Sequence, residues 1–476
     1  MGTKAYFYQE DFSGGLSDSD IVGPESAFAE GVGVDIHTKP GSISVHQKLT
    51  KNSGTTVTEL CKHAVRGSDG NDYWFSSESG KVWKRTSAGV WSLLFTNTRG
   101  ACIGACEFND YIYYATNDDL GRFGTLSSGS PTNSDGWAAL VDTSWHPMTV
   151  CGLYLCIGNK RSIATVDDAG TFTANGNPSI EFANLPWVHS IRALTRFGSN
   201  ILFGTETSDS YARTIVGQWD LSSPTFLSDP PDIPNFTTKA IISKGMYAYV
   251  ITGLQGDIYY YDGKLCTKLK KIPGTYSDTQ YLDIFPASNG DFAGRTLFGV
   301  SNGTGNSCLQ GVYSIGQHDK NYPVALTLDY PISTGETSGI GVGAILVSGE
   351  TSLYVSWKNG TTAGIDLIDW SNKYASAYFK TMQLIGDRTT SKVFENYVLS
   401  YASKPTDTAL ALSYAKNFGT SFTSIPLNDR TDNYKYFQKN NIPTGVIQFK
   451  VDFTTKTNNA PQLDSLYTDW TEEKIK

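Results

Sequence analysis

The chain has 476 residues and a formal net charge of −8 at neutral pH. Because one small core does not need this length, it predicts two or three domains or one large repeat architecture. Lysine and arginine form no run, which disfavours stable binding of nucleic acid through a basic face. The content of 47 glycines, 27 tyrosines, 23 phenylalanines and 10 tryptophans is typical of strands and tight turns rather than long helices.

The first 56 residues precede any repeated pattern, and we expect them to form an arm. A short helix is expected from Pro24 to Glu30, and the segment from Val34 to Gly41 predicts one or two strands. Such an arm could lend a strand to the domain that follows. The N-terminus shows no apolar signal region, and no apolar run approaches the roughly 20 residues that span a bilayer. We therefore expect no membrane insertion.

From residue 57 to 380 a three-part pattern recurs: a short aromatic strand, a turn, and a second strand that opens with glycine or a polar residue. Seven residues mark the aromatic strands: Trp74, Tyr113, Leu155, Phe203, Tyr249, Phe298 and Tyr354. The markers are about 39 to 56 residues apart, which brackets the length of a four-stranded blade. Residues 57–380 therefore predict a β-propeller of about seven blades, in which each sheet buries both faces against its neighbours.

The second strand of each unit follows its marker after about 8 to 14 residues, a spacing that suits a hairpin. Clear examples are Gly80–Trp83, Gly121–Phe123, Gly256–Tyr259 and Gly311–Tyr313, with third strands at Gly89–Trp91 and Gly136–Trp137. These segments lack apolar residues three and four apart. A helical solenoid is therefore disfavoured.

After about residue 375 the strands become longer and have one apolar face. Apolar residues alternate with polar ones in two segments, Leu410, Leu412 and Tyr414, and then Ile447, Phe449, Val451 and Phe453. This pattern predicts a β-sandwich over residues 381–476. The chain is thus expected to be all-β, with an arm (1–56), a propeller (57–380) and a C-terminal sandwich that folds as a separate piece.

Seven cysteines and six histidines are scattered along the chain: Cys61, Cys102, Cys106, Cys151, Cys156, Cys266 and Cys308, and His37, His46, His63, His146, His189 and His318. An odd number of cysteines in apolar stretches predicts reduced core residues rather than a disulfide framework. Cys102, Cys106, Cys151 and Cys156 fall in strand-like segments near His146, whereas zinc sites prefer tight knuckles. We therefore predict no metal ion or cofactor.

Two short strings match known motifs without the structural context that those motifs need. Gly299–Gly303 has the pattern of a nucleophile elbow around Ser301, but loop residues follow it where a helix is required. Gly339–Ala344 has the glycine spacing of a dinucleotide site, but a polar segment precedes it and too few residues follow for a helix. Neither string is assigned a role.

A propeller glycosidase or sialidase is the main enzymatic alternative, and it needs carboxylates that flank a scissile bond. Asp167–Phe172 resembles the Asp-box turn of sialidases only loosely, and the arginines are scattered. The aspartate pairs Asp18 with Asp20 and Asp118 with Asp119 lack the further oxygen ligands of a calcium loop. The sequence therefore predicts a protein that is not an enzyme, and no catalytic residue is named.

The opening Phe12–Leu16, followed by Val34–Ile36 and Lys39–Gly41, resembles the start of propeller-containing structural proteins from the virions of tailed bacteriophages. The layout of the whole chain is similar to theirs as well. It has irregular aromatic blades and then a late β-sandwich that ends in a strand like Ala460–Tyr467. The shared motifs are short, so no residue-level role is carried over.

This resemblance implies a tail nozzle, hub or collar subunit whose copies form a ring around the channel for DNA. The implied partners are other tail and connector proteins and further copies of the chain. DNA would pass transiently and without specific binding, which an acidic balance permits because like charges keep a moving polyanion from sticking. The implied location is the virion, after assembly in the cytoplasm of a host bacterium.

A receptor- or glycan-binding propeller at the tail tip or on a cell surface is the second interpretation. The tyrosines Tyr259–Tyr261 and the loop Trp145–Pro147 could supply stacking faces for sugars. Alternate tyrosines in a strand equally place one ring in the core and the next at a blade edge. A propeller glycoside hydrolase is the third interpretation and the least favoured.

Overall fold

A computed structural model describes residues 3–21, 23–174, 182–208, 212–226, 230–231, 233–253, 256–274, 282–301, 307–385, 390–430 and 435–474. Within these ranges the regular secondary structure is almost entirely β-strand, and the one helical segment is a 3₁₀ turn at Leu126–Ser128. The prediction of an all-β protein is therefore confirmed.

Seven strands lie in the N-terminal segment: β1 (Thr3–Gln9), β2 (Gly15–Leu16), β3 (Ala27–Phe28), β4 (Glu30–Val32), β5 (Val34–Asp35), β6 (Ser44–Val45) and β7 (Gln47–Lys51). The helix predicted from Pro24 to Glu30 is wrong, because this segment contains β3, which pairs in parallel with β2. The Ser17 N–H also donates to the Phe28 carbonyl oxygen at 2.9 Å. Tertiary pairing thus overrides the local helix propensity.

Five antiparallel sheets follow one another along the chain. They are β8–β11 (Cys61–Arg66, Asp72–Ser76, Lys81–Arg85, Trp91–Thr96), β12–β15 (Gly104–Phe108, Tyr111–Ala115, Asp119–Gly124, Thr132–Ala139), β16–β19 (Met148–Cys151, Tyr154–Asn159, Ser162–Asp167, Phe172–Thr173), β20–β22 (His189–Phe197, Asn200–Thr207, Val216–Trp219) and β23–β26 (Thr238–Ser243, Ala248–Thr252, Asp257–Tyr261, Cys266–Lys271). Each sheet is one blade.

The next seven strands complete the propeller: β27 (Asp283–Ser288), β28 (Thr296–Ser301), β29 (Gly311–Gly316), β30 (Ala325–Tyr330), β31 (Ile340–Ser348), β32 (Ser352–Asn359) and β33 (Thr362–Lys373). Together with β7 they form a sheet in the order β30–β29–β28–β27–β31–β32–β33–β7. This sheet contains the sixth blade, β27–β30, and the seventh, β31–β33 with β7 as its outermost strand. The prediction of a seven-bladed propeller is confirmed.

Nine strands form the rest of the chain: β34 (Ser376–Lys380), β35 (Leu384–Ile385), β36 (Thr390–Ser403), β37 (Ala409–Lys416), β38 (Thr423–Ile425), β39 (Asn428–Arg430), β40 (Lys435–Thr444), β41 (Val446–Thr454) and β42 (Gln462–Lys474). One sheet has the order β1–β42–β36–β40–β39, and the other has the order β38–β37–β41–β34–β4. Phe394 and Tyr397 of the first sheet pack on Phe449 of the second, with ring centroids 6.3 and 5.8 Å apart. The two sheets therefore form the predicted sandwich.

The chain divides into two compact units whose ranges differ from the expected 1–56, 57–380 and 381–476. The sandwich unit comprises Met1–Thr50, Gly311–Gly335 and Ile368–Lys476, and the propeller unit comprises Lys51–Gln310 and Glu336–Leu367. The sandwich takes β1 and β4 from the N-terminal segment, so residues 381–476 do not form it alone. Strand β1 pairs with β42, which is more than 450 residues away in the sequence. No local sequence pattern predicts this pairing.

Each of the seven marker residues lies on the second strand of its blade, so the predicted order of strands within a blade is shifted by one. In β9, Trp74 packs in a cluster with Tyr354, whereas Phe75 on the opposite face packs in a cluster with Tyr114. Because such a strand is buried on both faces, its sequence is a continuous apolar run. The first strand of each blade was missed.

Candidate functional site at the propeller axis

The first strands of the seven blades surround a common axis. They contact one another in the order β8, β12, β16, β20, β23, β27 and β31, and β31 contacts β8 again. Side chains from these strands line a cavity of about 180 Å³, and residues further along most of the same strands line a second cavity of about 460 Å³. The strands that the sequence analysis missed are therefore those that form the cavities.

Three cationic side chains line the smaller cavity, which we call the axial cavity: Lys62 from β8, Arg192 from β20 and Lys239 from β23. Two carboxylates join them into a chain of charges. Lys62 Nζ lies 3.1 Å from Asp283 Oδ2, and Lys239 Nζ lies 3.2 Å from Glu206 Oε2. Arg192 lies between the two acids, with Nε 3.6 Å from Glu206 and Nη2 3.8 Å from Asp283.

Arg192 is buried, with a relative exposure of 5%, yet its hydrogen-bonding capacity is not used up. Neither Nε nor Nη2 has a hydrogen-bond partner within the described residues. The guanidinium carbon lies 3.3 Å from the centroid of the Trp145 ring, so one face of the group is stacked. The edge that carries Nε and Nη2 is the part of arginine that holds the two oxygens of a carboxylate or phosphate.

The pKa values in the axial cavity reflect both burial and the neighbouring charges. Burial lowers the pKa of Arg192 to about 10, although Asp283 and Glu206 oppose this shift. Burial would raise the pKa of Asp283, but Lys62, Arg192 and Lys239 together outweigh it and lower that pKa. Burial, followed by Lys62 and Arg192, lowers the pKa of His63 to about 3, so its imidazole is neutral at pH 7.

The loop between β15 and β16 places Trp145 in the wall of the axial cavity. Its next residue, His146, is fully buried and anchors the loop. His146 Nδ1 lies 2.7 Å from the Gly158 carbonyl oxygen, and Nε2 lies 3.1 Å from the Asn117 carbonyl oxygen. The sequence suggests Trp145 as a stacking face for a sugar, whereas in the structure Trp145 stacks on Arg192.

The strings that matched catalytic motifs are structural wherever the chain is described. Ser301 is buried; its hydroxyl donates to the Val342 carbonyl oxygen at 2.6 Å and accepts from the Val342 N–H at 2.5 Å. Asn302 and Gly303, which complete that string, lie outside the described residues. The glycine-rich string around Gly341 and Gly343 belongs to β31 and not to a phosphate-binding loop.

The scattered cysteines and histidines do not converge on a metal site. All seven cysteines are free, and burial raises the pKa of the Cys102 and Cys106 thiols to about 12. Across the described part of the chain, no group of three or more histidine, cysteine, aspartate or glutamate side chains is arranged to hold a metal ion. Asp167 accepts a hydrogen bond from the Thr171 N–H at 2.6 Å, which makes that segment a turn.

The tyrosines Tyr259 to Tyr261 alternate as a strand requires. Tyr259 and Tyr261 are buried in the core between two blades, and Tyr260 is half-buried on the other face of β25. Tyr260 stacks on Tyr247, with ring centroids 5.1 Å apart. These rings therefore pack chiefly against the propeller's own side chains.

A second notable feature is an exposed aromatic surface in the sandwich unit. Strand β1 is the edge strand of its sheet, and its outward-facing Tyr6 and Tyr8 are 71% and 49% exposed. Tyr467 of the neighbouring β42 contacts both rings, with centroids 6.5 and 6.3 Å away. We call these three residues the tyrosine edge. An edge strand that exposes contiguous aromatic rings is typical of a contact surface for another chain.

Comparisons with known proteins are consistent with the propeller fold and show neither a family nor a function. No protein-family model and no curated protein matches the chain. Solved structures similar to it include a streptogramin B lyase (10% identity, TM-score 0.43, 67% of this chain and 96% of the lyase), YCF48 bound to a D1 peptide (9%, 0.43, 68% and 94%) and a gluconolactonase from Xanthomonas campestris (8%, 0.36, 72% and 98%). A fold by itself does not determine function.

One further observation concerns membranes. Among the residues that the structure describes, no helix has the length and apolar character needed to cross a bilayer.

Proposed function

We propose that the chain is a structural subunit of a tailed-bacteriophage virion, of the nozzle, hub or collar type. It acts through contacts with copies of itself and with neighbouring tail proteins. The observation that carries this proposal is the tyrosine edge, because Tyr6 and Tyr8 expose large rings on an edge strand. The resemblance of Phe12–Leu16 and Val34–Ile36 to virion proteins supports the assignment to a tail.

The acids at the axial cavity do not suit glycoside hydrolysis, which supports a role in assembly. Asp283 and Glu206 are both ion-paired with lysines. A general acid of a glycosidase needs a raised pKa, whereas the pKa of Asp283 is lowered by its three cationic neighbours.

The size of the cavities bears on the path of DNA. The two cavities at the axis measure about 180 and 460 Å³, which is the scale of small-molecule sites. A DNA duplex would therefore pass through a ring made of several copies, and not along the axis of one propeller. The net charge of −8 suits such a ring, because an acidic wall repels DNA in transit.

The test replaces both exposed rings, Tyr6→Ser with Tyr8→Ser, in the virus that encodes the chain. Because truncation of central aromatic contacts costs more than about 1.4 kcal/mol each, we expect at least a tenfold loss of the chain from purified particles. Quantitative mass spectrometry of the particles measures this, and thermal unfolding of the purified variant should match the wild type. The control pair, Tyr6→Phe with Tyr8→Phe, keeps the rings and should incorporate normally. Absence of the wild-type chain from purified particles would overturn the proposal, and so would normal incorporation of the serine variant.

A further inference from the structure

We propose that the axial cavity binds a small hydroxy-carboxylate with one negative charge, held by the Nε and Nη2 edge of Arg192. This ligand site is independent of the assembly role and lies in the propeller unit alone. The chemistry is shared by two sources, an acidic sugar and a free hydroxy acid.

Arg192 has two hydrogen-bond donors on one edge of its guanidinium group that are unused within the described residues. Its Nε and Nη2 atoms point two parallel N–H groups in one direction, which matches the two oxygens of a carboxylate. Nε lies 3.6 Å from Glu206 Oε2 and Nη2 lies 3.8 Å from Asp283 Oδ1, so both acids are within ion-pair distance but beyond hydrogen-bond range. Stacking on Trp145 fixes the plane of the guanidinium. The donors are thus buried, oriented and without an acceptor within the described residues.

Among the charged side chains at the axial cavity named above, cations outnumber carboxylates. The groups whose charges act on one another here include Lys62, Arg192, Lys239, Glu206 and Asp283. Three of these five are cations and two are carboxylates, and His63 is neutral. A monovalent anion suits this balance of charge, because a buried cationic group is stabilised by a paired anion.

A second buried polar atom in the wall of the axial cavity also has no hydrogen-bond partner within the described residues. His63 lines the axial cavity, and its Nε2 atom is buried without a hydrogen-bond partner in the described part of the chain. A neutral imidazole nitrogen pairs well with a hydroxyl group, whereas it gives a carboxylate no charge to bind. A ligand that carries a hydroxyl beside its carboxylate would satisfy both Arg192 and His63.

The size and the remaining walls of the axial cavity set the scale of the ligand. Its volume of about 180 Å³ lies below the range of about 300–1,000 Å³ that is usual for sites of drug-sized ligands. Pro147, Phe285 and Ile103 contribute apolar surface. The cavity therefore suits a single sugar acid or a smaller hydroxy acid, and not a long chain.

The test is isothermal titration calorimetry of the purified full-length chain in a zwitterionic buffer of low ionic strength at pH 7.5. The probes are glucuronate, lactate, glucose and inorganic phosphate. We expect saturable binding of glucuronate, lactate or both, and none of glucose, because only the acids offer a carboxylate to Arg192. Binding of glucuronate alone would indicate an acidic sugar as the source, and binding of lactate a free hydroxy acid.

Two variants and one control make the test specific. Arg192→Lys keeps the charge but loses the paired donors, so it should weaken binding at least tenfold. Lys62→Met removes one supporting cation from a partly exposed position and should weaken binding several-fold. Lys244→Met changes a lysine that lines the other cavity and should bind like the wild type. Thermal unfolding of each variant checks that it is folded.

Several results would overturn the proposal. No saturable heat with either acid would do so, as would equal affinity of the wild type and folded Arg192→Lys. Equal affinity for glucose and glucuronate would show that the protein does not recognise the carboxylate. Tighter binding of phosphate, which is largely dianionic at pH 7.5, than of both acids would contradict the charge balance.

Discussion

The sandwich unit and the propeller unit each bury a cluster of polar side chains, and the two clusters differ in how fully their atoms are paired. In the sandwich unit, His46 Nε2 lies 3.6 Å from Asp329 Oδ1 and 3.9 Å from Asp35 Oδ1. Thr327 donates to Asp329 at 2.5 Å, and His37 Nε2 lies 3.2 Å from the Thr327 hydroxyl. Thr327, Asp329 and His37 are thus joined by hydrogen bonds, His46 lies within ion-pair distance of two carboxylates, and no polar atom of these side chains is buried without a partner.

The cluster at the axial cavity is built from a similar mixture of charges but leaves donors over. Arg192 is as buried as His46, with relative exposures of 5% and 3%, yet its Nε and Nη2 atoms have no hydrogen bond within the described residues. A closed network stabilises the fold, because removing one member leaves the others unpaired. An open network beside a cavity has capacity for a ligand.

The largest expected effect comes from cutting the sandwich unit. The sequence predicts that residues 381–476 fold as a separate piece, but the sandwich also contains β1, β4 and β34, and its polar cluster uses Asp35 and His46. We therefore expect residues 385–476, expressed alone, to show no cooperative thermal transition by circular dichroism. The full chain is the control. A sharp transition in the fragment would mean that the N-terminal strands are not needed.

The next effect separates the two clusters directly. Asp329→Ala should destabilise the protein by about 2–3 kcal/mol, because it removes the carboxylate that accepts a hydrogen bond from Thr327 and that lies 3.6 Å from buried His46. Urea denaturation followed by tryptophan fluorescence measures the loss. The matched control is Asp464→Ala, since Asp464 is partly exposed and its ion pair with Lys39 lies at the surface. Equal losses in the two variants would contradict the description of a closed network.

A smaller effect should appear on acidification. The pKa of His63 is about 3 in the folded chain, against an ordinary value of 6.5. Between pH 6.5 and pH 3 the unfolded chain binds a proton at His63 and the folded chain does not. The neutral His63 therefore costs no stability above pH 6.5, and the free energy of unfolding decreases as the pH falls below 6.5. We expect His63→Gln to lose about 2 kcal/mol less than the wild type between pH 7 and pH 5, measured by urea denaturation. Identical acid sensitivity would show that the imidazole is not held neutral.

The smallest effect on stability is expected at the cluster of charged side chains around Arg192 in the axial cavity. Arg192→Met should change the free energy of unfolding by less than about 1 kcal/mol, because a buried ion with unpaired donors adds little net stability and can be replaced by an apolar residue. The same denaturation experiment measures it. A loss as large as that of Asp329→Ala would show that Arg192 belongs to a closed structural network.

The seven blades could be predicted because of how their second strands are buried. Strands such as β9 and β13 are buried on both faces, because their blades pack against a neighbouring blade on each side. Trp74, Tyr113 and the residues beside them therefore form continuous apolar runs. The first strands could not be found in this way, since Lys62, Arg192 and Lys239 interrupt them. These cations precede their markers by about 10 to 12 residues, a regularity that could have indicated the cavity.

The composition of the sandwich was harder to predict for a different reason. The alternating pattern of β41 is local and was recognised from Ile447, Phe449 and Val451. The contributions of β1 and β4 depend on pairing between segments hundreds of residues apart. Phe12 and Phe28 pack on Phe379, with ring centroids 5.3 and 5.9 Å apart, and nothing in the local sequence around them specifies that contact.

The most direct test of the proposed role is a cryo-electron microscopy reconstruction of an intact tailed-bacteriophage particle of the kind to which we assign the chain. We expect copies of the chain to form a ring in the tail around the DNA channel, with Tyr6 and Tyr8 covered by a neighbouring subunit. DNA should follow the axis of the ring and not that of any one propeller. A tail without this chain would contradict the account, and so would a ring in which the tyrosine edge faces solvent.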